Sequence, residues 1–277
     1  AAALHEQGSY GPLVIVLVDD VEVTEIDLFA PPASINSVVI AVDPGPRFTF
    51  GETRVAPRAP GATAEPIVDG FARGSVALSG LVNAAVNAGI NEWLEEGHAK
   101  AEFRDQELIA DHRVSELDVD IELDPGPKLR FGNVSIEPGS EVSDRRVLEI
   151  LGFPSGEVFS PEELRVAGNR LRRSGVFRTV SLQEAEFPNP DGTLDYNLTL
   201  LDAKKRRIGV RADYSTLDGF EVGGFFLHRN VFGGGESFRL DVDIEGLGET
   251  QGRGTTYRTE GRLTRPGTFG PDNNVFA

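Results

Sequence analysis

The chain has 277 residues, enough for about two or three domains; its apolar content of 39% supports small cores, and no run approaches the ~18 to 20 apolar residues of a membrane-spanning helix. It has no cysteine, so a disulfide framework and a thiolate metal site are excluded, and no methionine even at position 1, so it reads as a processed chain or an excerpt. The net charge is −17, but residues 204–277 hold 11 Lys and Arg against 10 Asp and Glu, leaving 16 basic and 34 acidic residues in 1–203, a front segment that repels nucleic-acid phosphates.

In chain order, LHEQGSY at 4–10 reads as the end of a helix, followed by strands VIVLVDDVEV at 14–23 and SVVIAV at 37–42. DPGPRFTFG then stands at 43–51, and a near copy, DPGPKLRFG, at 124–132. Between them lie a strand RFTFGETRVA, a short helix EPIVDGF at 65–71, a longer helix SGLVNAAVNAGINEWLEEG at 79–97, and strands AEFRDQELIAD at 101–111 and ELDVDIELD at 116–124. After the second copy the plan repeats: strand LRFGNVSIE, helices SDRRVLEILGF and SPEELRVAGNRLRRSGVF, strands TVSLQEAE at 179–186 and LDYNLTLLD at 194–202. Ser160 is the N-cap, Pro161 the first helical residue and Glu163 completes a capping box. Leu164, Ala167 and Leu171 share one face, and Gly175 ends the helix. LEEGH at 94–98 and LRRSGVF at 171–177 mark the same helix end as LHEQGSY, so the chain is expected to open inside a truncated copy of a strand–helix–helix–strand–strand unit. Pro44, Pro46, Pro125 and Pro127 pre-set φ and Gly45 and Gly126 permit a tight turn, making DPGP a short, stiff joint between units. The expected divisions are 1–45, 46–126, 127–203 and 204–277.

From residue 204 helical signals cease. RIGVRADYS alternates Ile208, Val210, Ala212 and Tyr214 with Arg207, Gly209, Arg211 and Asp213. FRLDVDIE alternates Phe238, Leu240, Val242 and Ile244 with Arg239, Asp241, Asp243 and Glu245. GFEVGGFF and TTYRTEGRLT give two more strands, separated by turns such as TLDG and GGGE. Such strands suit a membrane β-barrel with lipid outside and a wet lumen, and equally a soluble antiparallel sandwich. The aromatics Phe220, Phe225, Phe226 and Phe232, read as lying near strand ends, and the charges of the second face favour the barrel. Four strands cannot close one, since ~8 are needed, so this segment is read as the start of a longer barrel.

No catalytic chemistry is evident. DVDIEG at 241–246 imitates the start of a calcium loop, but its twelfth position is Gly252 where a bidentate Glu belongs. The four histidines, at 5, 98, 112 and 228, show no HExxH spacing, no GxSxG is present, and GGG at 233–235 has no following GK[ST]. Trp93, at helical spacing from Ile90, reads as core. No cofactor and no metal are expected.

Repeated strand–helix–helix–strand–strand modules feeding a barrel resemble the outer-membrane insertase superfamily, whose periplasmic modules are polypeptide-transport-associated (POTRA) domains. DPGP followed by Arg47 or Lys128, Phe50 or Phe131 and Gly51 or Gly132, together with the His228–Arg229–Asn230 stretch before the glycine-rich turn, is most similar to its TamA-type branch, the outer-membrane subunits of the translocation and assembly module. The resemblance implies an α+β fold of tandem β-α-α-β-β POTRA domains followed by the first strands of a transmembrane barrel in the Gram-negative outer membrane, with the POTRA domains in the periplasm. It implies non-enzymatic capture of unfolded outer-membrane proteins or autotransporters by β-augmentation. Capture is expected on the POTRA edge strands, at residues 101–110 and at Thr179, Val180, Ser181, Leu182 and Gln183. Templated insertion is expected at a seam strand formed by Arg207, Ile208, Gly209, Val210, Arg211, Ala212, Asp213 and Tyr214, where Gly209 would weaken the strand. Lys204, Lys205 and Arg206 would touch outer-membrane lipid, a TamB-like inner-membrane-anchored protein would be the partner, and no nucleic acid would bind. Two other classes remain: a two-partner-secretion exporter, and a soluble tandem peptide-binding module.

Overall fold

The computed structural model describes residues 2–26, 34–62, 66–215, 219–247 and 254–277; TLD of the expected TLDG turn and Gly252 lie outside them. The chain forms two compact units, Ala1–Pro127 and Lys128–Ala277.

In the first unit a short helix α1 (Ala2–His5) precedes β1 (Leu13–Val18), β2 (Val21–Glu22) and β3 (Val38–Asp43), with β1 in the middle of the sheet. The single strand expected at 14–23 instead doubles back at Asp19 and Asp20, whose φ values of 49° and 67° suit a two-residue hairpin turn. The Asp19 carboxylate accepts the backbone N–H of Asn36 (3.0 Å) and Ser37 (2.8 Å), holding the return to β3 beside this turn. At the joint that follows, Asp43 accepts the Gly45 N–H (3.0 Å), and Asp124 accepts the Gly126 N–H (2.9 Å) in the second copy. Both glycines have φ above +55°, so each DPGP is an Asx turn locked by its own first residue.

The module between the joints consists of β4 (Thr49–Ala56), α2 (Ser79–Glu95), β5 (Glu102–Asp111) and β6 (Glu116–Asp124). Its sheet runs β4-β6-β5, with β6 parallel to β4 and antiparallel to β5. Leu117, Val119, Ile121 and Leu123 alternate along β6 and are all buried beneath the α2 face carrying Val82, Ala85, Gly89 and Trp93. Gly89 is there for close approach: a Cβ would lie 2.6 Å from Leu123 Cδ1. Trp93 is core, with Nε1 donating to the Pro57 carbonyl (2.9 Å). The short helix expected at 65–71 does not form among the described residues; 66–70 are bends and a turn, with Gly70 at φ +82°. Among the described residues this module therefore shows one helix where the sequence pattern suggested two.

The second unit keeps the full plan: β7 (Arg130–Ile136), α3 (Asp144–Leu151), α4 (Pro161–Arg173), β8 (Phe177–Glu184) and β9 (Thr193–Asp202), in a sheet ordered β7-β9-β8. Ser160 Oγ accepts the Glu163 N–H at the start of α4, and Gly175 follows its end at φ +71°. Val147, Ile150, Leu151, Ala167 and Leu171 of the helices pack on Val180, Leu198 and Leu200. A five-stranded antiparallel meander follows in sequential order: β10 (Arg206–Ser215), β11 (Gly219–Arg229), β12 (Ser237–Leu247), β13 (Thr256–Arg265) and β14 (Val275–Phe276). The last of these was not anticipated.

Candidate functional site

The repeated Phe-Gly fixes how each module presents its edge. Phe50 and Phe131 are buried, and after each the strand bulges against its parallel neighbour. At the bulge Asp118 accepts the Glu52 N–H (2.6 Å), and Asp195 accepts the Asn133 N–H (2.7 Å). A Cβ on Gly51 or Gly132 would collide with that carboxylate. The loop before each longer helix is also duplicated: Phe50 and Phe131 each donate to it (2.8 and 2.9 Å), and Gly74 and Gly156 return bonds to their carbonyls (both 2.7 Å). GSV at 74–76 and GEV at 156–158 are its sequence trace.

With the first and last strands of each module so joined, the middle strand by sequence lies at the sheet edge. This holds for both β5 and β8. On β5 Phe103, Leu108 and Ile109 are exposed. Its outward residues Glu102, Asp105, Glu107 and Asp111 stand directly opposite Asp124, Glu122, Asp120 and Glu116 of β6, four like-charged cross-strand pairs. On β8 Thr179 and Gln183 are exposed, Ser181 and Leu182 half-buried and Val180 buried. Arg172 of α4 donates to the Val180 carbonyl (3.2 Å), so this edge is trimmed by a side chain.

β10 is likewise an edge strand, at the start of the meander. Its register places Ile208, Val210, Ala212 and Tyr214 opposite Phe226, Gly224, Val222 and Phe220, an apolar face in which Ile208 is 74% and Val210 87% exposed. The other face is charged and internally paired: Arg211 with Glu221 (3.0 Å) and Asp243 (2.8 Å), Arg239 with Asp241 (2.7 Å), Arg262 with Glu260 (2.9 Å). Asp241 and Asp243 of the calcium-like motif are thus strand residues occupied by arginines. Phe225 and Phe226 sit in mid-strand on opposite faces, not near strand ends as expected, and Phe232 is in the β11–β12 turn. Gly209 has a packing role: Phe225, directly opposite, lays its ring over it.

Sequence reasoning missed the contact that joins the second module to the meander. Arg146 on α3 is 5% exposed. Its Nε donates to the Gly234 carbonyl (3.2 Å), its Nη2 to Pro266 (2.6 Å), and its Nη1 to Gly267 (3.4 Å) and Glu149. The Arg146 bond holds the Glu149 carboxyl below the usual carboxylate range, against a weaker opposing effect of desolvation. Around this pin, Asn230 donates to the Glu141 carbonyl (3.1 Å) and Arg229 to the carbonyls of Gly175 and Lys204 (both 2.9 Å). Arg170 grips Asp272 through two bonds (2.9 and 2.7 Å). Lys204, Lys205 and Arg206 are exposed, with Lys205 ion-paired to Glu141.

Residues 129–200, which hold the second module with its parallel β7–β9 pair and most of its helix layer, match the family model "POTRA: Surface antigen variable number repeat". Among solved structures, the chain is similar to BamA from Haemophilus ducreyi lacking POTRA domains 1–3, at a TM-score of 0.61 and 16% identity. That match covers 83% of this chain and 42% of the other, so the chain spans less than half the length of that relative. It is also similar to Haemophilus influenzae BamA POTRA3-5, at a TM-score of 0.53 and 16% identity over 72% of this chain and 76% of that one. At such identity the likeness establishes a shared fold.

Proposed function

We propose that the chain is the periplasmic arm and barrel entrance of an outer-membrane protein-assembly factor of the insertase superfamily, of the TamA type. It would serve unfolded outer-membrane proteins or autotransporters with a TamB-like inner-membrane-anchored partner. The observation that carries this reading is the face division of β10–β13 directly after a POTRA module: one face apolar and exposed at Ile208, Val210, Tyr214, Phe220 and Tyr257, the other ion-paired. A soluble sandwich would cover the apolar face; lipid covers it in a barrel. The division into a partial module (1–45), two modules (46–126, 127–203) and barrel strands (204–277) belongs to the same reading.

The work is done by backbone edges. β5 and β8 offer their outer backbone edges to an extended client, β8 with the Val180 carbonyl already taken by Arg172, and at a net ~0.5 to 1.5 kcal/mol per bond a four- or five-bond ladder holds it reversibly. β10, from Arg207 to Tyr214, templates the incoming strand, while Lys204 and Arg206 face anionic headgroups at about 1 kcal/mol each. The test places single cysteines at Asp213 and Ser181 in the full-length protein and seeks disulfides to a client with one cysteine in its last strand. Register-specific capture at Asp213 supports templating. Capture only on lumenal residues outside β10 favours an exporter, and a monomer of this chain stable without detergent would leave only a soluble binding module.

A further inference from the structure

On the charged face of the meander Gly209 and Gly223 stand directly opposite Phe225 and Arg211. Both are notches that a side chain from the next strand fills. A Cβ on Gly209 would fall on the Phe225 ring; one on Gly223 would strike the Asp243 carboxylate and lie 2.9 Å from Arg211 Nε. The Phe225 ring thus crosses from β11 onto β10. The Arg211 guanidinium crosses the other way, from β10 over β11, to meet Asp243 of β12 at 2.8 Å. Arg239 stands 4.4 Å from the Phe225 ring centre and Arg207 5.7 Å, so cations flank the ring on a face otherwise unsuited to it. An aromatic ring laid across a glycine is a known means of holding strand register, and a one-step slip would turn every apolar residue of β10 onto the charged face.

We infer that Phe225 over Gly209 and Arg211–Asp243 over Gly223 form a reciprocal cross-tie that fixes the edge strand β10 to β11 and β12, with Phe225 and Asp243 as positioning residues. β10 then has one committed side and one open side, and strand exchange is confined to the open one. That use of the fixed strand rests on the seam reading above; the cross-tie itself does not.

The experiment uses disulfide register mapping in the full-length protein, with cysteines on the apolar face away from the ties. Ala212→Cys with Val222→Cys reports the native pairing, in which these residues are directly opposite. Val210→Cys with Val222→Cys reports a slip of two. With the ties intact, only the first pair closes. With Phe225→Ala and Asp243→Ala together, the ratio of native to slipped closure falls by roughly three- to tenfold; an unchanged ratio overturns the inference. If the doubly substituted protein does not assemble, Phe225→Tyr and Phe225→Leu decide. The ring-keeping variant retains the native ratio and the leucine variant loses it, and equal behaviour overturns the cross-tie. A register change on untying, alongside failure of client capture at Asp213, refutes the seam reading alone.

Discussion

Replacing Arg146 by alanine should unfasten the second module from the β11–β12 and β13–β14 turns of the meander. The side chain is 5% exposed, and its two best carbonyl bonds, to Gly234 (3.2 Å) and Pro266 (2.6 Å), reach two different turns. Charge-assisted bonds contribute about 1.5 to 3 kcal/mol each. Truncation strands those carbonyls but admits some water, so the expected loss is about 3 to 5 kcal/mol, the range for breaking a buried charged contact. Because α3 and the turn are also joined by the Ser143 N–H to the Gly233 carbonyl (3.2 Å), the loss is legible at one amide. Hydrogen exchange at Ser143 should accelerate by about two to three and a half decades, at ~1.4 kcal/mol per decade, while the β7–β9 ladder changes little. The neighbouring Arg145→Ala is the control. Arg145 is exposed and only 3.5 Å from Glu149, and such a surface pair contributes about 0 to 1 kcal/mol. Arg146→Lys should fall between the two, because an ammonium cannot reproduce the guanidinium fork. If Ser143 exchange in Arg146→Ala changes by less than about threefold, the pin is not what holds this junction.

Gly132→Ala should destabilise its module more than Gly51→Ala. The new methyl meets backbone at Leu194 (2.9 Å) as well as Asp195, whereas at Gly51 the three nearest atoms belong to the Asp118 and Glu116 side chains; about 2 kcal/mol or more against about 1 kcal/mol is expected in thermal or denaturant unfolding. Asp272 should make the β13–β14 turn acid-sensitive. The Arg170 bond holds its carboxyl below the ordinary value, so its contribution is present above about pH 4, the unfolded value, and fades as pH falls through the depressed folded one. Asp272→Asn should flatten turn protection between pH 6 and 3. Glu107→Lys, facing Asp120 across the sheet, should replace a repulsive pair by an attractive one. A gain of about 0.2 to 1 kcal/mol that shrinks with added salt is expected from exchange of the β5–β6 amides.

Much of this architecture was legible because its signals are local. Helix α4 announces itself through Ser160, Pro161 and Gly175, and β6 and β12 through unbroken alternation. Where the reading failed, the deciding feature was a backbone angle or a distant partner. VIVLVDDVEV looks like one strand until Asp19 and Asp20 turn left-handed. EPIVDGF looks helical until Gly70 does the same. Gly209 suggested a weak strand because the ring that fills it comes from Phe225, sixteen residues on. Arg146 left no trace of its pinning role, since apart from Glu149 three residues on its acceptors are main-chain carbonyls 88 to 121 residues away, and a carbonyl has no letter in a sequence. The edge positions of β5 and β8 followed only from the family resemblance, because the parallel pairing of first and last strands that puts them there leaves no local signal in either module.

The bond from each bulge amide to an aspartate 62 or 66 residues downstream bears on how such an arm can be lengthened or shortened. The glycine and its aspartate are two halves of one closure, and both lie between consecutive Asp-Pro-Gly-Pro joints or beyond the last. A genetic exchange breaking the chain at a joint transfers both halves together, and each module arrives able to close. A crossover anywhere between Gly51 and Asp118 gives a hybrid whose bulge must find its carboxylate in a foreign strand. Module number is therefore free to vary in whole steps, while module interiors resist being spliced.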